Sequence, residues 1–101
     1  MSNEAAPVEI DRLIHEPARL LLVSNLAVVD EADFVFLSRR TGLTAGNISS
    51  HMSRLEEAGY VAIEKGFDGK RPRTTYALTP RGRAAFDHYR EQLGGLLRDG
   101  R

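Results

Sequence analysis

Thr44 to Val61 reads TAGNISSHMSRLEEAGYV, and this stretch decides the fold. Its apolar residues Ile48, Met52 and Leu55 have the spacing of one face of an amphipathic helix. The opposite face carries side chains that hydrogen-bond and are not bulky: Asn47, Ser50, His51 and Arg54. Gly59 ends the predicted helix, and an alternating segment follows at once. A helix with a small polar outer face, followed by a basic hairpin, indicates a surface that can read DNA.

Length and composition predict one soluble globular domain. A chain of 101 residues buries about 60–70% of the surface that its unfolded form exposes. The absence of Cys excludes a disulfide scaffold and thiolate metal sites. No apolar run approaches the ~18 residues of a membrane span, and the N-terminus lacks the basic and apolar parts of a secretory signal. We therefore expect a cytoplasmic protein without a membrane partner, with a frayed tail at 1–7 and one domain at 8–98.

Charge is divided along the chain although its sum is zero. Residues 1–38 hold two Arg and seven Asp or Glu, a net charge of −5. Residues 39–83 hold nine Lys or Arg and four Asp or Glu, a net charge of +5. Because the attraction of phosphate is screened beyond about 8–10 Å, local charge matters more than the sum. The division favours a polyanionic partner, although charge clumping also occurs in ordinary helical proteins.

The remaining segments predict a mainly α-helical fold with one β-hairpin. Asp33, Thr44 and Thr79 are candidate N-caps, and Pro80 suits the first turn of a last helix. A turn-rich loop, DGKRP, joins two alternating segments into a hairpin. Helices are expected near residues 9–14, 17–27, 33–42 and 44–58 and from residue 80 onward, and strands near 60–67 and 73–79.

The candidate DNA contacts begin on the helix at 44–58, which fits the major groove of about 12 Å. Small residues at its start allow close approach, and its free N–H groups suit a phosphate. We expect base contacts from Asn47, Ser50 and Arg54, and phosphate contacts from Ser49 and His51. Three alternatives stay open: Thr44 as a helix cap as well as a contact, His51 as a solvated side chain, and Arg54 paired with Glu57.

The hairpin tip and the preceding helix supply further cations. The tip, residues 64–74, holds Lys65, Lys70, Arg71 and Arg73, with Pro72 stiffening it. Arg39 and Arg40 lie near the end of the predicted helix at 33–42, which precedes the helix at 44–58. Phosphate binding by these groups releases counterions, and an Arg at such a tip also fits a narrow minor groove. The alternative is a solvated hairpin whose charges protect a sheet edge.

An apolar stripe on the terminal segments is longer than one small core requires. We interpret it as a dimer interface, because one reader helix makes few contacts and a second half-site about 34 Å away would add the rest. The alternative is that both segments pack within one chain. The predicted interface residues are Ile10, Leu13, Ile14, Phe86, Tyr89, Leu93 and Leu96.

These patterns resemble the winged helix-turn-helix transcriptional regulators near the MarR-like and ArsR-like groups. The resemblance is carried by GLTAGNISSHMSRLEEAGYVAIEKGF at 42–67, GKRPRTTYALTPRGRAAF at 69–86 and IHEPARLLLVSNL at 14–26. It implies a three-helical core plus a wing, with flanking N- and C-terminal helices. It also implies a homodimer on a pseudo-palindromic double-stranded operator, with the recognition helix in the major groove and the wing on the backbone or minor groove.

Other functions have less support. A winged-helix module that binds only protein usually loses the basic residues that this chain keeps. No catalytic or nucleotide-binding motif is present, so we expect no enzyme and no cofactor. His15, His51 and His88 lack the spacing of metal ligands, although a His/Asp site across a dimer stays open. A small-molecule effector between the helical interface and the reader is also open, and no group of residues identifies one.

Overall fold

Residues 9–100 are described by a computed structural model, and they form four helices and a three-stranded antiparallel sheet. The strand order is β1-β3-β2, so the two long strands form a hairpin and the short one pairs with β3. This architecture confirms the predicted winged helix-turn-helix fold class. The elements are α1 (Pro17–Leu26), β1 (Ala32–Asp33), α2 (Phe34–Thr41), α3 (Ala45–Glu57), β2 (Val61–Asp68), β3 (Arg71–Leu78) and α4 (Pro80–Asp99).

The predicted caps set the helix boundaries. The Asp33 carboxylate accepts the N–H of Phe36 at 2.8 Å, and the Thr44 hydroxyl accepts the N–H of Asn47 at 3.2 Å. Each bond satisfies a donor that the first turn would leave unpaired. Gly42 follows α2 with a φ of 73°, in the left-handed region that favours glycine. The α2–α3 corner is therefore specified by local chemistry.

The structure corrects the prediction of a helix at residues 9–14. The segment is a turn held by Asp11, whose Oδ1 accepts the N–H groups of Leu13 at 2.9 Å and Ile14 at 3.3 Å. A carboxylate bonded to nearby N–H groups competes with helix formation. The first helix starts only at Pro17, where the Glu16 carboxylate caps it. The predicted tail at 1–7 lies outside the described residues.

The short strand β1 was not predicted. It pairs Ala32 with Tyr76 and Asp33 with Thr75, which joins the start of α2 to the base of the hairpin. Two residues carry no alternation that a sequence pattern could reveal, and the pairing partner lies more than forty residues away. The strand thus anchors the hairpin at a fixed place beside the helices.

One core lies between the helices and the inner face of the sheet. Its members come from every helix, from all three strands and from the turn before α1. The buried apolar residues are Ile14, Leu22, Val23, Leu26, Ala32, Leu37, Ile48, Met52, Leu55, Val61, Tyr76, Phe86 and Tyr89. Within residues 9–100, no helix is both long enough and apolar enough to cross a membrane.

Candidate nucleic-acid interface

The two faces of α3 have opposite environments. Ile48, Met52 and Leu55 are each 0% exposed and hold the helix on the core. Asn47, Ser50 and Arg54 are exposed on the other side, and they form with Ser53 what we call the polar face. Burial of three large apolar side chains, at about 1.5–3 kcal/mol each, fixes the orientation of the helix. The polar face is therefore presented rigidly to solvent and is not covered by the described part of the chain.

The first turn of α3 is open and free of negative charge. Thr44 is exposed, but its hydroxyl already accepts the N–H of Asn47 as the N-cap. Ala45 and Gly46 follow it, and no atom lies within 4 Å of the position that a Cβ on Gly46 would take. The turn contains no acidic residue, so the positive end of the helix dipole is not neutralised there. A phosphate can approach this end closely.

His51 lies at the edge of α3 next to α1, and it is half-buried. Its Nδ1 is 3.1 Å from Nη1 of Arg19, whose Nε donates to the carbonyl of Leu13. The Glu16 carboxylate accepts the N–H of Arg19 at 2.8 Å. This backbone hydrogen bond lowers the pKa of Glu16, and the charge of Arg19 lowers it further. His51 thus belongs to a polar cluster that joins α3 to the start of α1.

The opposite edge of α3 faces the hairpin. Ser49 and Ser53 line an open cleft of about 510 Å³ between α3 and the inner face of the sheet. Lys65 and Thr74 line the same cleft from the hairpin side. Ser53 is not among the predicted contacts, although it is exposed and follows Ser50 by three residues on the same helix face. The helical period alone contained the signal for it.

The two arginines at the end of α2 are both exposed, and Arg40 is engaged by its own chain. Its Nε donates to Oδ1 of Asn25 at 3.3 Å, and its guanidinium carbon lies 5.7 Å from the centre of the Phe36 ring. Arg40 therefore reaches toward α1. Arg39 adds positive charge at the same helix end.

The strand pleat divides the cations of the hairpin between two faces. In the register Lys65 lies opposite Thr74, on the face toward α3. Arg71 lies opposite Asp68, and Arg73 makes an ion pair of 3.5 Å with Asp33. Exposed pairs of this kind contribute about 0–1 kcal/mol. The predicted single group of four wing cations is thus separated into Lys65 on the α3 side, Arg71 and Arg73 on the other, and Lys70 in the turn.

The terminal residues predicted at a dimer interface do not share one environment. Ile14, Phe86 and Tyr89 are at most 7% exposed within the single chain. The burial of these three residues agrees with the alternative that they pack within one chain. Nδ1 of His15 lies 2.8 Å from the hydroxyl of Tyr89, which ties α4 to the turn before α1. The others are half-buried: Ile10, Leu13, Leu93 and Leu96. Leu97, absent from the predicted interface, is 75% exposed.

Fold and surface together define a DNA-binding winged-helix protein, and comparisons with known proteins agree. Residues 18–97 match the family model described as winged helix DNA-binding domain, so the chain belongs to that family. Its structure is similar to that of the transcriptional regulator homologue from Pyrococcus horikoshii OT3, with a TM-score of 0.82, 27% identity and 88% of each chain covered.

Two further comparisons concern one relative in sequence and one solved structure. The uncharacterized protein MJ0432 of Methanocaldococcus jannaschii is 30% identical over 78 residues, which are 77% of this chain and 85% of that protein. A MarR-family transcriptional regulator from Silicibacter pomeroyi shares the fold, with a TM-score of 0.65 and 23% identity. That match covers 83% of this chain and 56% of the regulator. This match shows a shared fold, and the predicted winged-helix family is confirmed by the family model.

Among residues 9–100, no three His, Asp or Glu side chains come together as a set that could hold a metal ion. The polar side chains that do converge are the α3 polar face, its two edges and the hairpin. The polar face of α3 itself carries amide, hydroxyl and guanidinium groups, which is the chemistry of phosphate and base recognition.

Proposed function

We propose that this chain is a transcriptional regulator that binds double-stranded DNA as a homodimer, with α3 in the major groove and the wing, residues 64–74, on the backbone or minor groove. The observation that carries the proposal is the polar face of α3, exposed above three fully buried apolar residues. Such a face can meet base edges without any change in the core. A DNA-binding role agrees with the expected cytoplasmic location.

The roles of the contact residues follow from their positions. Asn47, Ser50 and Arg54 stand at the centre of the polar face and are proposed to contact bases. Thr44 and Ser49 lie at its margins and are proposed for phosphate. His51 would reach phosphate only at the margin next to α1, since its ring already lies against Arg19. Lys65, Lys70 and Arg71 would follow the backbone from the wing.

Homodimerisation is supported by the distal end of α4. The helix has 20 residues, about 30 Å of length, and its buried residues all lie in the first ten of them. Leu96 is half-buried and Leu97 is 75% exposed in the last turns. We propose that these residues meet a second copy, together with Ile10, Leu13 and Leu93. Two copies would place two α3 helices on half-sites about 34 Å apart. A small-molecule effector stays a prediction.

Selection of bound sequences from a random duplex library tests the proposal. Anisotropy of a labelled selected duplex should then show binding that weakens steeply with salt. Arg54→Ala should reduce the affinity about 5- to 150-fold, the range of one lost base contact. Arg90→Ala is the matched control, because it removes the same charge from the exposed surface of α4 and should leave the affinity unchanged.

Three results would contradict the proposal or a part of it. Failure to bind any pool of genomic fragments at low salt would refute DNA binding. A pull-down dominated by one protein partner, without nucleic acid, would instead support the alternative of an interaction module. Equal weakening by Arg54→Ala and Arg90→Ala would show that only net charge matters and that the polar face reads no bases.

A further inference from the structure

The wing carries an exposed aromatic side chain that the fold does not use. Phe67 is 75% exposed, while Val61 on the same strand is 2% exposed. At about 3.3 Å per residue, Phe67 lies roughly 13 Å along β2 beyond the half-buried Ile63. The ring is not part of the hydrophobic core of the described residues.

The surroundings of Phe67 select the kind of partner. The register places it opposite Pro72, so two exposed apolar groups form a pair two residues from the turn. The pleat puts Lys65 and Thr74 on the same face, and Lys70 lies in the turn. The acidic residues of the wing, Glu64 and Asp68, lie on the other face. Among the charged residues of the two wing strands, Lys65 alone shares this face, so the apolar tip has a cation beside it, which suits a polyanion that also offers apolar surface.

DNA is such a partner, because its base steps and sugars are apolar between two rows of phosphates. Proteins that enter the minor groove often insert Phe, Leu, Ile, Met or Pro between base steps, which unstacks the step and bends the duplex. The face of the wing that carries Phe67 also faces the cleft beside Ser49 and Ser53 of α3. The apolar tip and the polar face can therefore meet the same duplex.

From this placement we infer that Phe67, supported by Pro72, is an apolar wedge that enters the minor groove beside the α3 site and bends the DNA. The inference rests on the proposed DNA binding and adds to it a residue that favours DNA sequences that bend easily. Pyrimidine–purine steps kink most easily, so the preference should appear as a flexible step at a fixed offset from the α3 contacts.

Energy transfer between dyes at the two ends of a selected duplex measures the bend, with the full chain bound. Wild type should shorten the end-to-end distance. Phe67→Ala should abolish the shortening and weaken binding about 10-fold or more, and Phe67→Leu should retain most of both. Val28→Ala is the matched control, because Val28 is 76% exposed and lies at the end of α1. It should change neither quantity.

Salt dependence separates the wedge from a charge contact. Phe67→Ala should leave the slope of log affinity against log salt unchanged, whereas Lys65→Ala should lower it by about one. Melting temperatures of the free variants check that all remain folded, as expected for exposed positions.

Three results would overturn the wedge. The first is a Phe67→Ala protein that bends DNA like wild type while Arg54→Ala still weakens binding, which leaves the proposed function intact. The second is loss of self-association by Phe67→Ala with the bend retained, which would assign the ring to contact between two copies. The third is a wild-type protein that binds no selected duplex, which removes the proposed function as well.

Discussion

At the scale of single residues, Gly82 shows how closely α4 packs against the turn that follows α3. A Cβ on Gly82 would lie 2.0 Å from the carbonyl oxygen of Tyr60. That oxygen also accepts the N–H of Thr79 at 3.0 Å, so it cannot move without loss of this bond. The absent side chain therefore determines how the start of α4 sits on the turn between α3 and β2.

Gly82→Ala should destabilise the fold, because the new methyl group meets fixed backbone. Overpacking of this kind costs about 1–3 kcal/mol or more, beyond any gain in helix propensity. Gly46→Ala is the matched control, since no atom lies within 4 Å of its Cβ position and the free energy of unfolding should rise by up to about 1 kcal/mol. Urea unfolding measures both. Equal stabilities would show that the α4 packing is looser than described.

Tyr60 gives a residue-scale prediction for alkaline pH. Its hydroxyl donates to Oδ2 of Asp11 at 2.6 Å, and this bond, with burial and the Asp11 charge, raises the pKa of Tyr60. A raised pKa means that the neutral phenol stabilises the fold below pH ~10 and that this contribution is lost as pH rises through the folded-state value.

Tyr60→Phe should therefore lower the free energy of unfolding by about 1–2 kcal/mol at neutral pH. The difference between wild type and variant should shrink above pH ~10. Urea unfolding at several values between pH 7 and 11 measures it. Tyr76 and Tyr89 remain in both proteins, and burial raises the pKa of each, so their contributions cancel. A difference that stays constant with pH would contradict the role of the hydrogen bond.

At the scale of elements, the pleat of the wing places neighbouring cations on opposite faces, where they have different partners. Lys65 points toward α3, while Arg73 pairs with Asp33 of β1 on the other face. A sequence pattern counts the four cations of the wing together, because it cannot show which strand residues share a face with a carboxylate from another element. Their separation depends on the pairing register and on β1.

Lys65→Ala and Arg73→Ala should consequently differ in DNA binding. The lysine variant should reduce the slope of log affinity against log salt by about one, the effect of one phosphate contact. The arginine variant should change it less, because Arg73 already faces a carboxylate at 3.5 Å. Titration of a labelled duplex at several salt concentrations compares them. A larger effect from Arg73 would place the other face of the wing against DNA.

The sequence predicted most element boundaries because they depend on local chemistry. Asp33, Thr44 and Thr79 each cap a helix through a bond to a residue three positions on. The two errors have different causes. The turn at Asp11 forms because its carboxylate accepts nearby N–H groups in competition with a helix, whereas the strand β1 depends on pairing with the distant β3. The candidate polar face followed from helix period alone, and the same period would have included Ser53.

At the scale of the whole molecule, part of the apolar stripe of the termini is buried in the core and part is exposed, and the sequence pattern alone does not separate the two parts. Phe86 and Tyr89 complete the core of one chain, whereas Leu97, further along the same helix, is 75% exposed. The spacing of the stripe is continuous along α4, so only the extent of the core shows where packing within the chain stops. The distal residues are the ones that the proposed dimer would use.

Leu97→Asp should weaken the proposed dimer about 10-fold or more, because a charge would have to be buried without a partner. Affinity for a two-half-site duplex should fall with it. Val28→Asp is the control, with the same charge at a position of 76% exposure at the end of α1. Sedimentation velocity across a range of concentrations measures the association. Identical behaviour of the two variants would move the dimer contact away from the distal end of α4.

Two hydrogen bonds link the turn at residues 9–16 to the surroundings of α3. Asp11 holds Tyr60 just beyond the C-terminal end of α3, and the backbone of Leu13 holds Arg19 against His51 near its middle. Because α3 cannot tilt unless these hydrogen bonds move or break, they help to fix its orientation. We therefore expect substitutions in this turn, which contributes no residue to the polar face, to change the orientation of α3 and with it the operator preference of the proposed regulator.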